Sequence, residues 1–524
     1  MRLHRLLRLF LVLVIVLLCG CGALSHDRHT GSQALTILHT NDHHGRFWKN
    51  SKGEYGLAAR KTLADAVRAA VLAKGGHVLL LDAGDINTGV PESDMLDAEP
   101  DIRGMNAMGY DAMAVGNHEF DNPLAILRKQ ERWMDFPLLA ANIYDSSGQR
   151  LFAPWHLFRL RGLTVAVFGL TTESTAIVGN PEHVKGLVFR PAIDEARDLV
   201  PRLRNQADVV IALTHLGFDE SEHPGVPQTR SRALARAVPG IDLIVDGHSH
   251  TQLDDPVLES GTVIVQAGEY GKYLGRVDLK WTMDQVYLTG GALLPVNLVQ
   301  ETQRAVAPPA TPVAEDPAML DLLKPFQEQG GKALQAVIGH GNGNFAADRS
   351  VTRSSQTALG SLACLALIEK TGADAAVMNS GGIRAGLPSG PITYKDVLTV
   401  KPFGNTICTV DMTGEELAGY LGQVAAFAPG SGAFAQFGGV RFVLRAGGAK
   451  DVFVGGAPLD AGRMYTVAME SYLAGGGDGY PVVKGRQGFV DTGFVDADVL
   501  RGYIARHSPL DPADYAPTGD VRRE

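Results

Sequence analysis

Five short polar stretches carry residues that could hold metal ions, and each of them follows a run of apolar residues. They are "NDHHG" (41–45), "GD" (84–85), "GNHEFDN" (116–122), "TH" (214–215) and "GHSH" (247–250). The candidate donors are Asp42, His43, His44, Asp85, Asn117, His118, Glu119, Asp121, His215, His248 and His250. Imidazole, carboxylate and carboxamide without thiolate suit a borderline-hard divalent ion such as Mn, Zn, Co, Fe or Mg. Roughly seven ligands are too many for one ion that must keep a position open for substrate. The pattern therefore predicts two divalent ions sharing a carboxylate, about 3.5–4 Å apart, as in two-metal hydrolases. In "GHSH" the imidazoles of His248 and His250 stand at i and i+2, which puts them on one side of an extended segment. One such histidine is most often a solvated loop residue; five loops of the same kind point to a site.

The elements that must position these residues are legible as apolar runs. Strands are predicted at 34–40, 77–83, 111–115, 163–170, 208–215 and 241–246, with amphipathic pieces such as 56–75 and 191–206 between them. Alternating strands and helices argue for an α/β layer structure with largely parallel central strands. Ligands in open α/β sheets bind in the crevice beyond the carboxyl ends of the strands, where the five stretches would converge. The Pro-rich "RAVAPPATPVAEDP" (304–317) breaks the pattern and reads as a connector, followed by a short helix, "AMLDLLKPFQEQ" (318–329). A second globular region carries strands near 407–412, 440–445 and 464–469.

The 524 residues are 45% hydrophobic and 20% charged, an ordinary globular composition at a length that favours two large domains. A net charge of -9 at pH 7 argues against a nucleic-acid binder, which would carry a basic stripe. At the N-terminus Arg2, Arg5 and Arg8 precede an apolar core from Leu9 to Leu18 and then small residues, which reads as a secretory signal. "LCGC" (18–21) resembles the lipobox of bacterial lipoproteins, in which Cys21 becomes the lipidated first residue; the alternative is a plain secreted protein. Cys19 suits that role less, because bulky Leu18 precedes it. The remaining cysteines, Cys364 and Cys408, are either paired or, as we favour, two buried free thiols.

In order and character, "TNDHHG", "GD", "GNHEFD", "TH" and "GHSH" resemble the metallophosphoesterase (calcineurin-like) motif series. From Leu35 to the C-terminal "SPLD" the chain is similar to the bacterial periplasmic 5′-nucleotidase/UDP-sugar hydrolase family, in stretches such as "HTNDHHGRFW", "GDINTGVPESD" and "GGDGYP". The resemblance implies an α/β fold: a four-layer metallophosphoesterase β-sandwich flanked by helices, with a second α+β substrate-binding domain. It implies a signal peptide at 1–21, a tether at 22–33, the metal domain at 34–303, a linker and hinge helix at 304–335 and a nucleotide-binding domain at 336–524. Asp42, His44 and His250 would bind one ion, Asn117, His215 and His248 the other, and Asp85 would bridge them. His43, of the other parity in its segment, would not be a ligand. His118 resembles the family's catalytic histidine, and Asp121 would orient it.

In the second region Arg349, Arg353 and Arg384 match the family's phosphate-binding arginines, which suit bidentate phosphate recognition. Phe403 and Tyr472 match the two aromatics that sandwich the base. Asn405 and Asp478 resemble polar contacts to base and ribose, and Asn379 with the "SGG" after it would let backbone approach the substrate. Three departures stand out: Tyr472 and His250 replace the Phe and Gln of one family member, and the segment after His250 lacks that member's cysteine-bridged excursion.

The implied activity is hydrolysis of nucleoside 5′-monophosphates, extending to nucleoside di- and triphosphates and UDP-sugars. Nucleotides would be the partners of an exported monomer, lipid-anchored on the periplasmic side of the membrane, most simply the outer membrane. The family also implies a large rotation of the second domain, carrying nucleotide to the metals, with its hinge near 304–333. Two rival readings remain: a 2′,3′-cyclic-nucleotide phosphodiesterase on the same two-domain plan, and a lipoprotein that only binds nucleotides.

Overall fold

The computed structural model describes residues 31–523, apart from 51, 179–180, 219–228, 283–284, 300–311, 402, 447, 518 and 520. The predicted signal with Cys21, most of the tether and much of the Pro-rich connector lie outside the described residues.

The first domain is built on two six-stranded sheets. In the first, the order is Gln285–Pro295, Tyr273–Thr282, Gln33–Thr40, His77–Asp82, Ala112–Ala114, Leu138–Leu139. In the second it is Val257–Glu259, Thr262–Val265, Leu243–Val245, Val209–His215, Leu163–Thr171, Trp155–Leu160. The central strands are parallel, with Ile37 opposite Leu79 and Leu243 opposite Ile211; the edge strand Leu138–Leu139 also joins parallel, whereas the other outer strands join antiparallel.

Side chains alternate across a strand, so each apolar run divides between two cores. Leu35, Ile37, Leu79, Leu81, Val165, Ile211 and Val245 point between the sheets into one core. Leu38, Leu80 and Met113 point outward, against the helices Leu57–Leu72 and Glu99–Met108. On the other side Phe168, Val210 and Ile244 meet the helix Ala192–Arg204. Strands apolar on both faces are what a largely parallel sheet under helices requires, and the result is the four-layer sandwich the resemblance implies.

The helix after the connector, Pro317–Leu334, is longer than predicted and continues through Pro325. Asp316 caps it, accepting the Met319 N–H at 2.8 Å. Met319 and Leu323 are buried in the first domain's core, and Gly330 lies against Glu92. This tertiary burial outweighs the penalty of an interior proline.

The second domain has a five-stranded mixed sheet, ordered Ala435–Gly438, Ala375–Asn379, Met464–Glu470, Thr406–Thr413, Val490–Val495. The helices Ala358–Thr371 and Asp496–His507 cover one face. The helix Gly414–Ala425 and a small four-stranded sheet cover the other. Three of the five strands were not predicted, because runs such as "AAVMN" are short and carry too few β-branched residues. Cys364 and Cys408 are both buried free thiols, one on a helix and one on a strand.

Candidate metal centre and second-domain cavity

The carboxyl ends of both sheets open on one edge, and there the five polar stretches meet. Asp42 and His44 follow the strand ending at Thr40, and Asp85 follows the one ending at Asp82. Asn117 and His118 follow Ala114, His215 ends its strand, and His248 and His250 follow Val245.

The strand before "GHSH" stops at Val245, and His248 and His250 have φ of 77° and 54°, so the pair is not extended and its rings do not share a side. They diverge: His248 Nδ1 lies 2.8 Å from Asn117 Oδ1, whereas His250 Nε2 lies 3.2 Å from His44 Nε2 and 3.3 Å from Asp42 Oδ1. Asp42, His44 and Asp85 also have positive φ, at 51°, 50° and 62°. A left-handed backbone at five non-glycine donors is strained, and such strain gathers where function over-determines the backbone.

The remaining distances tie the donors into one cluster. His215 Nε2 is 3.0 Å from Asp85 Oδ2 and 3.2 Å from Asn117 Oδ1, and His44 Nε2 is 3.9 Å from Asp85 Oδ2. Ligands that each sit about 2.1 Å from a shared ion lie roughly 3–4 Å apart, so these are the spacings a metal site shows.

The hydrogen bonds behind the rings say which nitrogens face inward bare. His44 Nδ1 is within 3.0 Å of the Asn87 and Thr88 carbonyls, and His215 Nδ1 is 2.7 Å from the Ala83 carbonyl. His250 Nδ1 is 2.6 Å from Glu269 Oε2. An acceptor behind Nδ1 makes that nitrogen the donor, so in the neutral ring Nε2 is an unprotonated lone pair. Lone pairs of His44 and His250 then face each other beside the Asp42 carboxylate, an arrangement only a proton or a metal ion can relieve. The donor set fits divalent ions.

The protein's own electrostatics agree. Burial opposes the charged form of His215 and His250, yet Asp85 and Asp42 outweigh it and push the rings up to about 9 and about 10. His44 and His248 go the other way: burial, with neighbouring histidines, drives His44 down to about 3 and His248 well below its ordinary range. Protons thus collect on the imidazoles nearest the carboxylates, the positions of greatest negative potential.

His118 stands beside this cluster. Its backbone N–H donates to Asp85 Oδ1 at 2.9 Å, and its Nδ1 lies 2.6 Å from Asp121 Oδ2. Burial lowers the ring's pKa, but Asp121 and Asp85 outweigh it, so the imidazole is pushed up to about 10. His43 is turned away: its ring lies 2.8 Å from Asp101 Oδ1 and 3.2 Å from the Arg60 guanidinium.

The second domain carries a cavity of about 520 Å³ that shares no lining residue with the metal centre. Arg353, Asn379, Arg384, Phe403, Asn405, Tyr472 and Asp478 line it, as does Glu470; Arg349 is exposed outside its wall. Phe403 and Tyr472 are 58% and 47% exposed, unusual for large aromatics and suited to rings that await a stacking partner. Asn379 Oδ1 is buried without a hydrogen-bond partner, while its amide donates to Asp478 Oδ2 at 2.7 Å.

Several residues that build these sites were not among the candidates, and Glu119, counted as a possible donor, has a different part. Glu119 accepts the backbone N–H groups of Asp85, Ile86 and Gly116 within 3.0 Å and so fixes the Asp85 turn. Thr88 donates to Asp121, and Lys401 bonds Glu470 under the cavity floor. Glu269 behind His250 had a usable signal: the apolar "TVIV" (262–265) also ends in a polar loop with a carboxylate.

Fold and site define a two-domain metallophosphoesterase. Residues 35–252 match the model of calcineurin-like phosphoesterases and residues 337–485 that of the 5′-nucleotidase C-terminal domain. The chain is 46% identical to a 5′-nucleotidase of Vibrio cholerae, with 97% of each chain covered. It is 47% identical to protein UshA of Escherichia coli over 93% of this chain and 94% of that one. Among solved structures, the 5′-nucleotidase precursor from Thermus thermophilus is 30% identical, with a TM-score of 0.56 over 94% of this chain and 99% of that one. The Haemophilus influenzae NAD nucleotidase, 22% identical, shares the fold with a TM-score of 0.72 over 94% of this chain and 100% of that one. The chain belongs to the bacterial 5′-nucleotidase/UDP-sugar hydrolase family, and it is a metal-dependent nucleotide phosphohydrolase.

Proposed function

We propose that the protein is an exported, lipid-anchored 5′-nucleotidase that hydrolyses nucleoside 5′-monophosphates to nucleoside and phosphate. Nucleoside di- and triphosphates and UDP-sugars are further substrates of the same site. The observation that carries the nucleotidase reading is the pairing of a cluster of inward-facing bare donors with a separate cavity bearing two exposed rings and two guanidinium groups; export and the lipid anchor are supported by the N-terminal sequence alone.

Asp42, His44 and His250 would hold one ion and Asn117, His215 and His248 the other, with Asp85 available to both. When bound, the ions supply Lewis acidity and lower the pKa of water to yield a nucleophile. The chain's own residues do the rest. His118, kept as an imidazolium by Asp121, neutralises charge that develops on the phosphoryl oxygens. Arg353 and Arg384 hold the phosphate by charge-assisted hydrogen bonds, and Phe403 and Tyr472 stack on the base. Stacking accepts any base, which suits a broad nucleotide specificity. On the family's pattern, the second domain rotates to bring its cavity to the metals; the helix Pro317–Leu334, anchored in the first domain, is the expected pivot.

Phosphate release from AMP and from 2′,3′-cyclic AMP, measured on metal-loaded protein, tests the reading. Rapid release from AMP with little from the cyclic compound is expected; a strong preference for the cyclic compound supports the phosphodiesterase instead. A protein that releases no phosphate, while Asp85→Ala leaves AMP binding intact, is a binding protein. Mass spectrometry of the mature N-terminus reads lipidation at Cys21 directly.

A further inference from the structure

The imidazoles of the metal centre are not all held alike. His44 and His215 rest their Nδ1 atoms on backbone carbonyls. His250 Nδ1 rests on a carboxylate, Glu269 Oε2, at 2.6 Å. His250 is also the more open of these rings, its side chain 32% exposed against 7% for His44 and none for His215, so packing alone does not fix it.

The loop that carries Glu269 is itself tied to the metal loop. The Asn41 amide donates to the Gly268 carbonyl at 2.6 Å, and Asn41 Oδ1 accepts the Ala267 N–H at 2.8 Å. The Tyr270 N–H donates to the Asp42 carbonyl at 2.7 Å. The Tyr270 ring meets His44 and His250 edge-on, with centroids 5.8 Å and 5.7 Å away, and the Arg46 guanidinium lies 3.4 Å from its centre. At Gly271, with φ of 67°, the Arg60 guanidinium fills the space a Cβ would need. Lys272 Nζ, 2.5 Å from Glu269 Oε1, pins the second carboxylate oxygen.

We propose that Glu269 is a positioning residue of the metal centre: it fixes the His250 ring with Nε2 toward the ion shared with Asp42 and His44, and so sets the affinity of that one position. A carboxylate behind a metal-bound imidazole orients the ring and raises its donor strength more than a neutral carbonyl does. The position held by Asp42, His44 and His250 therefore carries the more strongly supported imidazole donor. This inference rests on the reading that those three residues hold an ion.

The test uses the full chain, stripped of metal and titrated with Zn²⁺ or Co²⁺ against a chromogenic chelator, with the Co²⁺ absorption spectrum as a second readout. The wild type is expected to bind two ions. E269A should weaken one position about 10–100-fold, the range for loss of such a partner, and alter the part of the Co²⁺ spectrum that position contributes. E269Q, which keeps an acceptor but loses the charge, should fall between them. K272M, which leaves the His250 contact in place, should keep both affinities.

Wild-type affinities and an unchanged Co²⁺ spectrum in E269A would overturn the proposal. So would equal weakening at both positions, or a loss in K272M as large as in E269A, because either marks a collapsed loop. A wild type that binds no ion fails the underlying reading of the metal centre, a result distinct from these.

Discussion

The Tyr472 hydroxyl donates to Asp478 Oδ1 at 3.0 Å and accepts the Asp478 backbone N–H at 3.2 Å. With Asn379 on Oδ2, both oxygens of Asp478 are fixed, in a residue whose φ of 54° already needs support. The hydroxyl thus braces a loop on the wall of the second-domain cavity, while the ring stays exposed.

Removing the two functions separately gives two sizes of effect. Tyr472→Phe keeps the ring and loses the brace, so KM for AMP should rise about two- to twelve-fold, the equivalent of about 0.5–1.5 kcal/mol. Tyr472→Ala also loses stacking, a further ~1–3 kcal/mol. In both, kcat on saturating AMP should hold. Steady-state kinetics with AMP decides it, and an unchanged KM in Tyr472→Ala removes this residue from the base site.

The imidazolium of His118 depends on Asp121, itself held by Thr88. His118→Ala should lower kcat about 10²–10⁴-fold, the usual worth of a positioned acid–base group. Asp121→Asn should move the alkaline limb of the pH–rate profile to lower pH, so activity falls more at pH 9 than at pH 6. With a pKa raised from 6.5 to about 10, the ion pair stabilises the fold fully below 6.5, and that stabilisation is lost as pH rises through about 10. Asp121→Asn should therefore lower Tm most at neutral pH and below, and thermal melts across pH check it.

Much of this was legible in the sequence because the strands of the first domain are buried on both faces. Runs such as "VVIALTH" leave no doubt about the strand, and a polar residue at its carboxyl end lands in the crevice by topology alone. Backbone reversal was not legible. Nothing in "GHSH" announces positive φ at both histidines, and the divergence of the rings follows from that geometry rather than from spacing. The bracing roles of Glu119 and Glu269 were hidden for a related reason, although both stand in legible polar loops: each acts on the backbone or on a side chain of a different loop. The second domain's central sheet was partly hidden because short, alanine-rich strands lack a periodic signal.

Beneath the second-domain cavity, Lys401 is fully buried between Glu470, which it hydrogen-bonds, and Asp496 Oδ2 at 3.6 Å. Burial, with Glu470 nearby, pushes Asp496 up to about 7 despite the lysine. Lys401→Met should destabilise the protein by ~3–5 kcal/mol, because it strands two buried carboxyl groups. Lys401→Met with Glu470→Met should be less harmful than the single change, since apolar groups of similar volume often replace a buried pair at little loss. Urea unfolding gives both values. The Asn405 amide reaches Glu470 Oε2 at 3.4 Å and its backbone carbonyl accepts the Asp496 N–H at 2.9 Å, so KM for AMP should rise as well.

Between the domains, Asp94 and Asp121 of the first face Asp498 of the second across a cavity of about 340 Å³, with Lys370, Arg501 and Arg506 also on its wall. Asp94 accepts the Gly89 N–H at 3.1 Å, but burial at the boundary, and then Asp498, push its carboxyl up from 3.8 to about 8. An acid whose folded pKa is raised loses stability as it is forced to ionise. The penalty is absent below about 3.8, grows across the interval, and is complete above about 8. Asp94→Asn keeps the acceptor for Gly89 and removes the charge, so its Tm should exceed the wild type's by a margin that widens from pH 5 to pH 8.5. Melting curves at the two pH values measure that margin, and an equal margin at both would show that Asp94 is no strained acid at the domain boundary.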